Sequence, residues 1–299
     1  MTRRRVTGAR GQLGSDLMLA AGAAGVAAVG LGSAELDITD PAAVDAAVRE
    51  FARAAEHADD GPWVLINAAA YTAVDAAETD TDGATAVNVT CAENLARAAA
   101  DEGIGMIHVS TDYVFPGDAI RPYEVTDPTG PRSVYGRTKL AGERAVLAAH
   151  PDAHVVRSAW VYGATGGNFV KTMAKLEAAH DTITVVDDQR GSPTWSADLA
   201  RGLVELAVEG APGGVLHATN AGETTWRGLA QAVFAELGAD PERVLPTTTD
   251  AFPRPAPRPA YSVLSGRAWQ AAGLTPLPDW RVALATAFRE YRTAFLPTP

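Results

Sequence analysis

The sequence predicts an α/β protein built on a doubly wound parallel sheet, with a smaller mixed domain in its C-terminal part. Through the first half of the chain, short β-branched runs alternate with alanine-rich helical stretches, the pattern of a parallel sheet flanked by helices. Beyond about residue 167 the pattern changes to helices separated by loops that contain proline and glycine. We therefore expect one domain over residues 1–167 and a second over residues 168–299.

Each predicted strand is a short run of apolar and β-branched residues bounded by turn formers. Two weaker runs lie in the second half and are candidates to return to the sheet of the first domain. The stronger candidates are residues 4–7, 26–31, 63–67, 105–110 and 154–159, and the weaker pair is 182–186 and 214–218.

The first strand is unusual because three arginines precede Val6, whereas buried parallel strands are normally continuous apolar runs. We expect this strand to be short or to have a solvated edge.

The stretch 41–58 predicts a crossover helix between two strands. Pro41 suits the first helical position, and Thr39 or Asp40 is placed to cap it. A proline run at 252–259 is either an ordered loop over a site or a linker. The apolar face of the crossover helix comprises Val44, Val48, Phe51 and Ala55.

Composition and charge exclude several classes of protein. The chain has 299 residues, 47% of them hydrophobic, so it can bury a core without disulfides or metals. Cys91 is the only cysteine, which excludes an intrachain disulfide and favours a reducing cytoplasm. A net charge of −11 argues against binding to nucleic acid or anionic membranes. Residues 17–30 are too weakly apolar to span a bilayer, and the N-terminal arginines do not introduce a secretory signal.

A glycine-rich turn lies between the first predicted strand and the helix after it. Gly8, Gly11 and Gly14 are spaced three apart, at a junction where Rossmann-like folds bind a pyrophosphate with backbone N–H groups and a helix N-terminus. The spacing differs from the common G-x-G-x-x-G fingerprint, so a tight turn that binds nothing is also compatible with it. The position favours a dinucleotide, which makes residues 1–167 a dinucleotide-binding domain.

The residues after the second strand bear on the choice of dinucleotide. An acidic residue usually holds the ribose hydroxyls there, and this chain has Gly32 and Ser33 instead. Without that carboxylate a 2′-phosphate is not repelled, and Arg10 in the turn is placed to pair with it. We therefore expect NADPH in preference to NADH, while the nearby Asp37 leaves NADH open.

Tyr135 and Lys139 are four residues apart and share one face of a predicted helix. A nearby ammonium lowers the pKa of a phenol, and such a phenol can protonate a carbonyl oxygen as hydride reaches the carbon. Alone, this pattern also fits an ordinary surface helix. Ser110 and Thr111 end a predicted buried strand, where open α/β sheets bind ligands, although both residues are also common turn formers.

The order of glycine turn, strand-end Ser-Thr pair and Tyr–Lys helix resembles the extended short-chain dehydrogenase/reductase family, and within it the dTDP-4-dehydrorhamnose reductases. The resemblance covers nearly the whole chain. It is carried by residues 7–14, 36–40, 66–75, 110–115, 135–143, 160–163, 168–170, 188–194 and 258–262.

This resemblance implies reduction, with NADPH or NADH, of the 4-keto group of dTDP-4-dehydro-L-rhamnose to dTDP-L-rhamnose. It implies that Tyr135 donates the proton, that Lys139 lowers the pKa of the phenol and holds the nicotinamide ribose, and that Thr111 orients the keto oxygen. With the glycine turn, the expected cofactor contacts are Gly8, Arg10, Gly11, Gln12, Leu13, Gly14, Asp37, Ile38, Ala69, Ala70, Tyr71, Tyr135 and Lys139.

The resemblance also implies a nucleotide-sugar site, with residues 168–299 as the substrate domain. Thr111, Asp112 and Trp160 are the expected sugar contacts, although Trp160 by itself fits a core or lid aromatic nearly as well. In an acidic protein the diphosphate needs local cations, and we expect Arg258 to be one of them. The cations in loops of the second domain are Arg190, Arg254 and Arg258.

Other interpretations stay open. A related dTDP-4-keto-sugar reductase of deoxysugar or antibiotic biosynthesis, of the dihydrostreptose synthase type, differs by only a few pocket contacts. A non-catalytic regulatory subunit is disfavoured because Thr111, Tyr135 and Lys139 are all present. Some family members hold Mg²⁺ through clustered glutamates at a dimer interface, but we identify no metal ligand here and leave Mg²⁺ and a homodimer open. His108, on a buried strand, is expected to be a core residue rather than a ligand.

Overall fold

The computed structural model describes residues 3–56 and 63–296, and these confirm the doubly wound α/β fold. The central sheet contains β1 (Arg3–Thr7), β2 (Ala27–Leu31), β3 (Val64–Asn67), β4 (Gly105–Thr111), β5 (His154–Ser158) and β10 (Gly214–His217). All are parallel, in the order β10-β5-β4-β3-β1-β2. Each bound lies within one residue of the sequence prediction.

Helices cover both faces of this sheet. Leu17 and Leu199 lie in the core of one face, and Val44, Leu95 and Val146 lie in the core of the other. The helices are α1 (Gln12–Ala23), α2 (Pro41–Glu56), α3 (Thr81–Thr85), α4 (Ala92–Asp101), α5 (Val134–Ala149), α6 (Phe169–Ala179), α7 (Ser196–Glu209), α8 (Trp226–Leu237), α9 (Arg267–Ala271) and α10 (Trp280–Phe295).

The second half of the chain contributes to the main sheet and also builds structure beside it. β10 joins the main sheet through β5, and α7 packs on α1. A separate apolar cluster includes Trp195, Phe234 and Trp280. The remaining strands are β6 (Val161–Tyr162), β7 (Ile183–Val186), β8 (Arg190–Gly191), β9 (Thr194–Trp195), β11 (Thr224–Thr225) and β12 (Val244–Thr247).

These short strands form two-stranded sheets, in which β6 pairs with β9, β8 with β11 and β7 with β12. Of the two weaker predicted strands, residues 214–217 therefore lie in the main sheet. Residues 183–186 do not return to it, because β7 is taken up by parallel pairing with β12 from the same half of the chain. The division at residue 167 stays a prediction.

The expectation for the first strand is wrong. β1 has five residues and lies between β2 and β3, so it is neither short nor at a solvated edge. Arg5 is buried. Its guanidinium donates to the carbonyl of Ala47 and lies 5.1 Å from the ring centroid of Phe51. A cation is thus accommodated inside the fold by the helix packed on the strand.

The crossover helix begins as its sequence predicts. Asp40 is the cap, because its Oδ1 accepts from the N–H groups of Ala42 and Ala43. The apolar face is buried at Val44, Val48 and Phe51. The side chain of Ala55, and residues 57 and 58 of the predicted helix, lie outside the described part of the chain.

Candidate active site

The glycine turn brings β1, α1 and the loop after β3 into close contact. Gly8 has φ +73°, and a Cβ there would lie 2.7 Å from the backbone N of Ala69. A Cβ on Gly14 would lie 2.1 Å from the carbonyl O of Gly8. Gly11 caps α1, and no side chain in the described part of the chain bonds to this helix start. The turn therefore offers free N–H groups at a helix N-terminus, which suits a pyrophosphate.

Two cavities meet at this turn. The first, of about 410 Å³ and called here the cofactor cavity, runs past the ends of β1 and β2. The second, of about 500 Å³ and called the reaction cavity, runs past the ends of β4 and β5. Both are lined by Gly11, Ala68 and Ala70, so a dinucleotide lying across the turn would reach from one into the other.

Most of the residues predicted from sequence line these cavities. Tyr71 and Arg258 are the predicted residues that the structure does not bring to the wall of either. The cofactor cavity is lined by Gly8, Arg10, Gly11, Asp37, Ile38, Ala69 and Ala70, and the reaction cavity by Gly11, Gln12, Leu13, Gly14, Ala70, Thr111, Asp112, Tyr135, Lys139 and Trp160.

Tyr135 and Lys139 lie on α5 and face the reaction cavity beside Thr111, at the end of β4. Burial raises the pKa of the Tyr135 phenol to about 12, opposed by a hydrogen bond with Thr111. Burial lowers the pKa of Lys139 to about 8, opposed by Glu143. The expected lowering of the phenol pKa by the lysine is thus not found, because desolvation dominates and Nζ is hydrogen-bonded to the carbonyl of Val109 at 2.7 Å.

Asp112 follows Thr111 and is 2% exposed. Its Oδ1 accepts from Thr111 Oγ1 at 3.0 Å, and the same hydroxyl accepts from the N–H of Tyr113 at 3.2 Å. Burial raises the pKa of Asp112 to about 6. The carboxyl therefore titrates near neutral pH at the wall of the reaction cavity.

Trp160 forms an aromatic wall with Trp226, a residue that the sequence analysis missed. The two rings are stacked with centroids 3.5 Å apart, and Trp226 Nε1 donates to Gln189 Oε1 at 3.1 Å. Trp160 has φ +48°, which is unusual for a bulky residue, and a Cβ on Gly191 would lie 2.4 Å from its ring. Both rings line the reaction cavity. No motif links residues so far apart along the chain.

The proline run is an ordered loop held by the Asp75 clamp, which we define as Asp75, Arg254 and Arg258. Asp75 Oδ2 accepts from Arg254 Nη2 at 2.7 Å, and Asp75 Oδ1 lies 2.9 Å from Arg258 Nη2. The N–H of Ala256 also donates to this carboxylate. Arg190 pairs with Glu223 at 3.1 Å. Each candidate cation for the diphosphate is therefore already beside a carboxylate.

Gln12 and Tyr71 make contacts that the sequence analysis did not predict. Gln12 Nε2 donates to the carbonyl of Val161, and its Oε1 accepts from Asn168, so this side chain bridges the two halves of the site. The N–H and C=O of Tyr71 are both bonded to the amide of Asn88, which lies in a π-helical turn (Ala86–Cys91). Such turns often occur at functional sites.

A carboxylate does lie at the end of β2, but it comes from Glu35. Glu35 Oε2 accepts from the N–H of Gly32 at 2.8 Å, and Oε1 accepts from Arg10 Nη2 at 2.6 Å. Asp37 is bonded to the N–H and hydroxyl of Thr39, which lower its pKa. The end of β2 in the cofactor cavity thus presents a cation paired with an anion.

In residues 3–56 and 63–296, no three His, Cys, Asp or Glu side chains are grouped so that they could hold a metal ion. In the same ranges, no helix is long and apolar enough to cross a membrane.

Comparison with known proteins gives a consistent result. The family described as "RmlD substrate binding domain" matches residues 3–293. The dTDP-4-dehydrorhamnose reductase of Mycobacterium tuberculosis is 55% identical over 287 residues, which are 94% of this chain and 91% of that protein. A probable dTDP-4,6-dihydroxy-2-methyloxan-3-one 4-ketoreductase of Streptomyces antibioticus is 52% identical over 300 residues, 98% of this chain and 96% of that one.

Solved structures agree with these sequence relatives. The crystal structure of dTDP-4-dehydrorhamnose reductase from Bacillus anthracis in complex with NADP has a TM-score of 0.90 and 35% sequence identity. The similarity covers 97% of this chain and 100% of that one.

Proposed function

The chain belongs to the RmlD family of dTDP-4-dehydrorhamnose reductases, which confirms the resemblance of its motifs, and we propose that it reduces the 4-keto group of dTDP-4-dehydro-L-rhamnose to dTDP-L-rhamnose. It is an oxidoreductase that uses a nicotinamide cofactor. One observation carries the proposed reaction: Thr111, Tyr135 and Lys139 line a single cavity that adjoins the glycine turn.

The nicotinamide cofactor, when bound across the glycine turn, supplies the hydride. The hydroxyl of Tyr135 donates a proton to the oxygen of the former keto group, since a phenol is a much stronger acid than the alcohol that is formed. The O–H of Thr111, which donates to Asp112 in the structure, turns toward the same oxygen and orients it. Lys139, the buried cation next along α5, returns a proton to the phenolate.

The rest of the reaction cavity is suited to a sugar joined to a diphosphate. Trp160 and Trp226 offer an apolar wall for one face of the sugar ring, and Asp112 offers an acceptor for its hydroxyl groups. Val74 also lines this cavity, so the Asp75 clamp begins at its rim. We propose that Arg258 contacts the diphosphate from this clamp.

A related dTDP-4-keto-sugar reductase activity is the second candidate. The relative from Streptomyces antibioticus, at 52% identity, carries the name of a reductase for a different dTDP-linked sugar. Few pocket contacts separate such substrates, each worth about 1–3 kcal/mol. The shared cavity of Thr111, Tyr135 and Lys139 favours either reductase over a non-catalytic regulatory subunit.

Oxidation of NADPH in the presence of dTDP-4-dehydro-L-rhamnose tests the proposal, with other dTDP-4-keto sugars measured in parallel. We expect the highest kcat/KM for the rhamnose precursor. Tyr135→Phe should lower kcat by about 10²–10⁴-fold while the cofactor still binds, because the proton donor alone is lost. A higher kcat/KM with another sugar would favour the second candidate, and unchanged turnover in Tyr135→Phe would reject the proposed role of the phenol.

We propose NADPH as the preferred cofactor. Arg10 supports this choice, because its guanidinium lies at the cofactor cavity and needs only to leave Glu35 to reach a 2′-phosphate. Glu35→Gln should raise the ratio of kcat/KM for NADPH over NADH several-fold, since it frees the arginine and removes a negative charge. Arg10→Ala should lower the same ratio. A wild-type preference for NADH would contradict this choice.

We also propose a cytoplasmic location and a homodimer. Within residues 3–56 and 63–296 no group of three or more His, Cys, Asp or Glu side chains could hold Mg²⁺. Gel filtration with and without Mg²⁺ tests the homodimer.

A further inference from the structure

A buried chain of polar side chains leads from β1 to Lys139, and the reaction proposed above does not use it. Thr7 Oγ1 donates to Asn67 Oδ1 at 2.8 Å, and Asn67 Nδ2 lies 3.1 Å from His108 Nδ1. His108 Nε2 lies 3.4 Å from Lys139 Nζ. Each of these side chains is at most 1% exposed. Such a chain is isolated from solvent, so its members must satisfy one another.

One backbone group sets the direction of the bonds. The N–H of Ala69 can only donate, and it lies 3.1 Å from Asn67 Oδ1, which must therefore be the oxygen of the amide. Asn67 consequently turns its NH₂ group toward His108, and His108 Nδ1 must accept. A neutral imidazole that accepts at Nδ1 carries its proton at Nε2.

The same arrangement disfavours a charged imidazole. An imidazolium would direct Nδ1–H at the NH₂ of Asn67, so two donors would face each other. Burial, with the charge of Lys139 as a smaller contribution, holds the pKa of His108 well below its usual range. His108 is therefore neutral, as expected for a core residue, but its Nε2–H has a specific neighbour.

That neighbour is Lys139. An ammonium group only donates, so it has no bond to make with Nε2–H, whereas a neutral amine can accept from it and still donate to the carbonyl of Val109 at 2.7 Å. We propose that His108 is a positioning residue of the reductase, whose Nε2–H bonds to the amine form of Lys139 but not to the ammonium, and so favours release of the lysine proton to the phenolate of Tyr135. This inference rests on the proposed function.

The proton transfers balance. The hydroxyl of Tyr135 loses its proton to the alkoxide, and the phenolate takes a proton from the ammonium of Lys139. The resulting amine accepts the hydrogen bond from His108 Nε2–H, and it later takes a proton from water. His108 itself neither gains nor loses a proton.

One charged group near Lys139 acts in the opposite direction. Glu143, one turn further along α5, favours the ammonium, but it is bonded to Arg157 at 2.7 Å and to Ser110 at 2.6 Å. Its charge is therefore largely balanced. The titratable and charged groups on the elements packed around this part of α5 include His108, Asp112, Tyr113, Tyr135, Glu143 and Arg157, with Cys91 on the π-helical turn and Glu78 at the start of the helix.

Two variants separate the roles of the two imidazole nitrogens. In His108→Asn, the amide oxygen can take the place of Nδ1 and accept from Asn67, and nothing donates to Lys139. In His108→Gln, the amide NH₂ can take the place of Nε2 and donate to Lys139, and the acceptor for Asn67 is lost. Each variant therefore keeps one of the two contacts of His108 and loses the other.

The pH profile of kcat is the first measurement. Reduction should slow above about pH 8 as Lys139 loses its proton. In His108→Asn we expect this limb to move up by about one pH unit, because the donor that disfavours the ammonium is gone. In His108→Gln the limb should stay in place. The proposal would be overturned if the alkaline limb moved equally in both variants, or if it did not move in His108→Asn.

The tautomer is the second measurement, and it needs no substrate. In the wild-type protein labelled with [¹⁵N]histidine, NMR should show His108 protonated at Nε2 alone between about pH 6 and 9. Its resonances are identified by their absence in His108→Asn or, if that variant does not fold, in His108→Gln. An Nδ1–H tautomer or an imidazolium overturns the proposal even if the chain is the expected reductase. The Nε2–H tautomer in a chain inactive on dTDP-4-keto sugars would instead count against the proposed function.

Discussion

The glycine turn on the cofactor side depends on close backbone contacts, whereas the substrate side includes two large aromatic side chains. At the glycine turn, a Cβ added to Gly8 or Gly14 would fall within 2.7 Å of a backbone atom. In the reaction cavity, part of the wall is formed by the stacked rings of Trp160 and Trp226. The glycine turn therefore has no room for a Cβ at these two positions, whereas the substrate side depends on side-chain atoms that can be removed.

The largest expected effect comes from adding one carbon to the cofactor side. In Gly14→Ala the new Cβ would lie 2.1 Å from the carbonyl O of Gly8, so the turn must change shape. We expect the affinity for NADPH, measured by fluorescence titration, to fall about 100-fold or more. Gly22→Ala is the control, since that glycine lies on the same helix with nothing within 4 Å. Equal cofactor affinities in the two variants would show that the turn tolerates side chains.

Asp112 lines the reaction cavity, and its burial predicts a pH-dependent stability. Its pKa is about 6 in the folded chain and 3.8 in an unfolded one. Between these values the folded state binds more protons, so the free energy of unfolding falls as pH rises, at about 1.4 kcal/mol per unit. Asp112→Asn removes this dependence.

Relative to wild type, Asp112→Asn should therefore gain about 2–3 kcal/mol of unfolding free energy between pH 4 and pH 7.5. Urea unfolding at the two pH values measures the gain, and Asp118→Asn, at an exposed position, is the control. A difference that is the same at both pH values would mean that Asp112 is ionised as easily in the fold as in water.

A smaller effect is expected from removing one ring of the substrate side. Trp226→Ala loses the stack with Trp160 and the hydrogen bond to Gln189. We expect KM for the nucleotide sugar to rise about 3–10-fold, with the affinity for NADPH unchanged. Trp226→Phe, which keeps a ring and loses the N–H, should lie between the two. If cofactor affinity fell as far as substrate affinity, the distinction between the two sides would fail.

The same comparison explains what could be predicted from the sequence. Gly8, Gly11, Gly14, Tyr135 and Lys139 act through short spacings along one turn or helix, so their neighbours in sequence are also their neighbours in space.

Trp226, Glu35 and the Asp75 clamp act through contacts between distant segments, and no local pattern indicates which carboxylate will meet which arginine. The prediction that Lys139 lowers the pKa of Tyr135 was wrong for a related reason. Spacing places a lysine near the phenol, but it does not show how deeply both are buried, and desolvation outweighs the neighbouring charge.

The Asp75 clamp also makes the enzyme responsive to its medium. The clamp is an ion pair near the surface, since the side chain of Arg254 is 48% exposed. It joins the proline loop to Asp75 in the first half of the chain. Dissolved ions screen such charges over a distance of about 8 Å at physiological ionic strength, whereas Tyr135 and Lys139 are shielded from them. With the role proposed above for Arg258, rising salt should therefore weaken binding of the nucleotide sugar before it alters the chemical step.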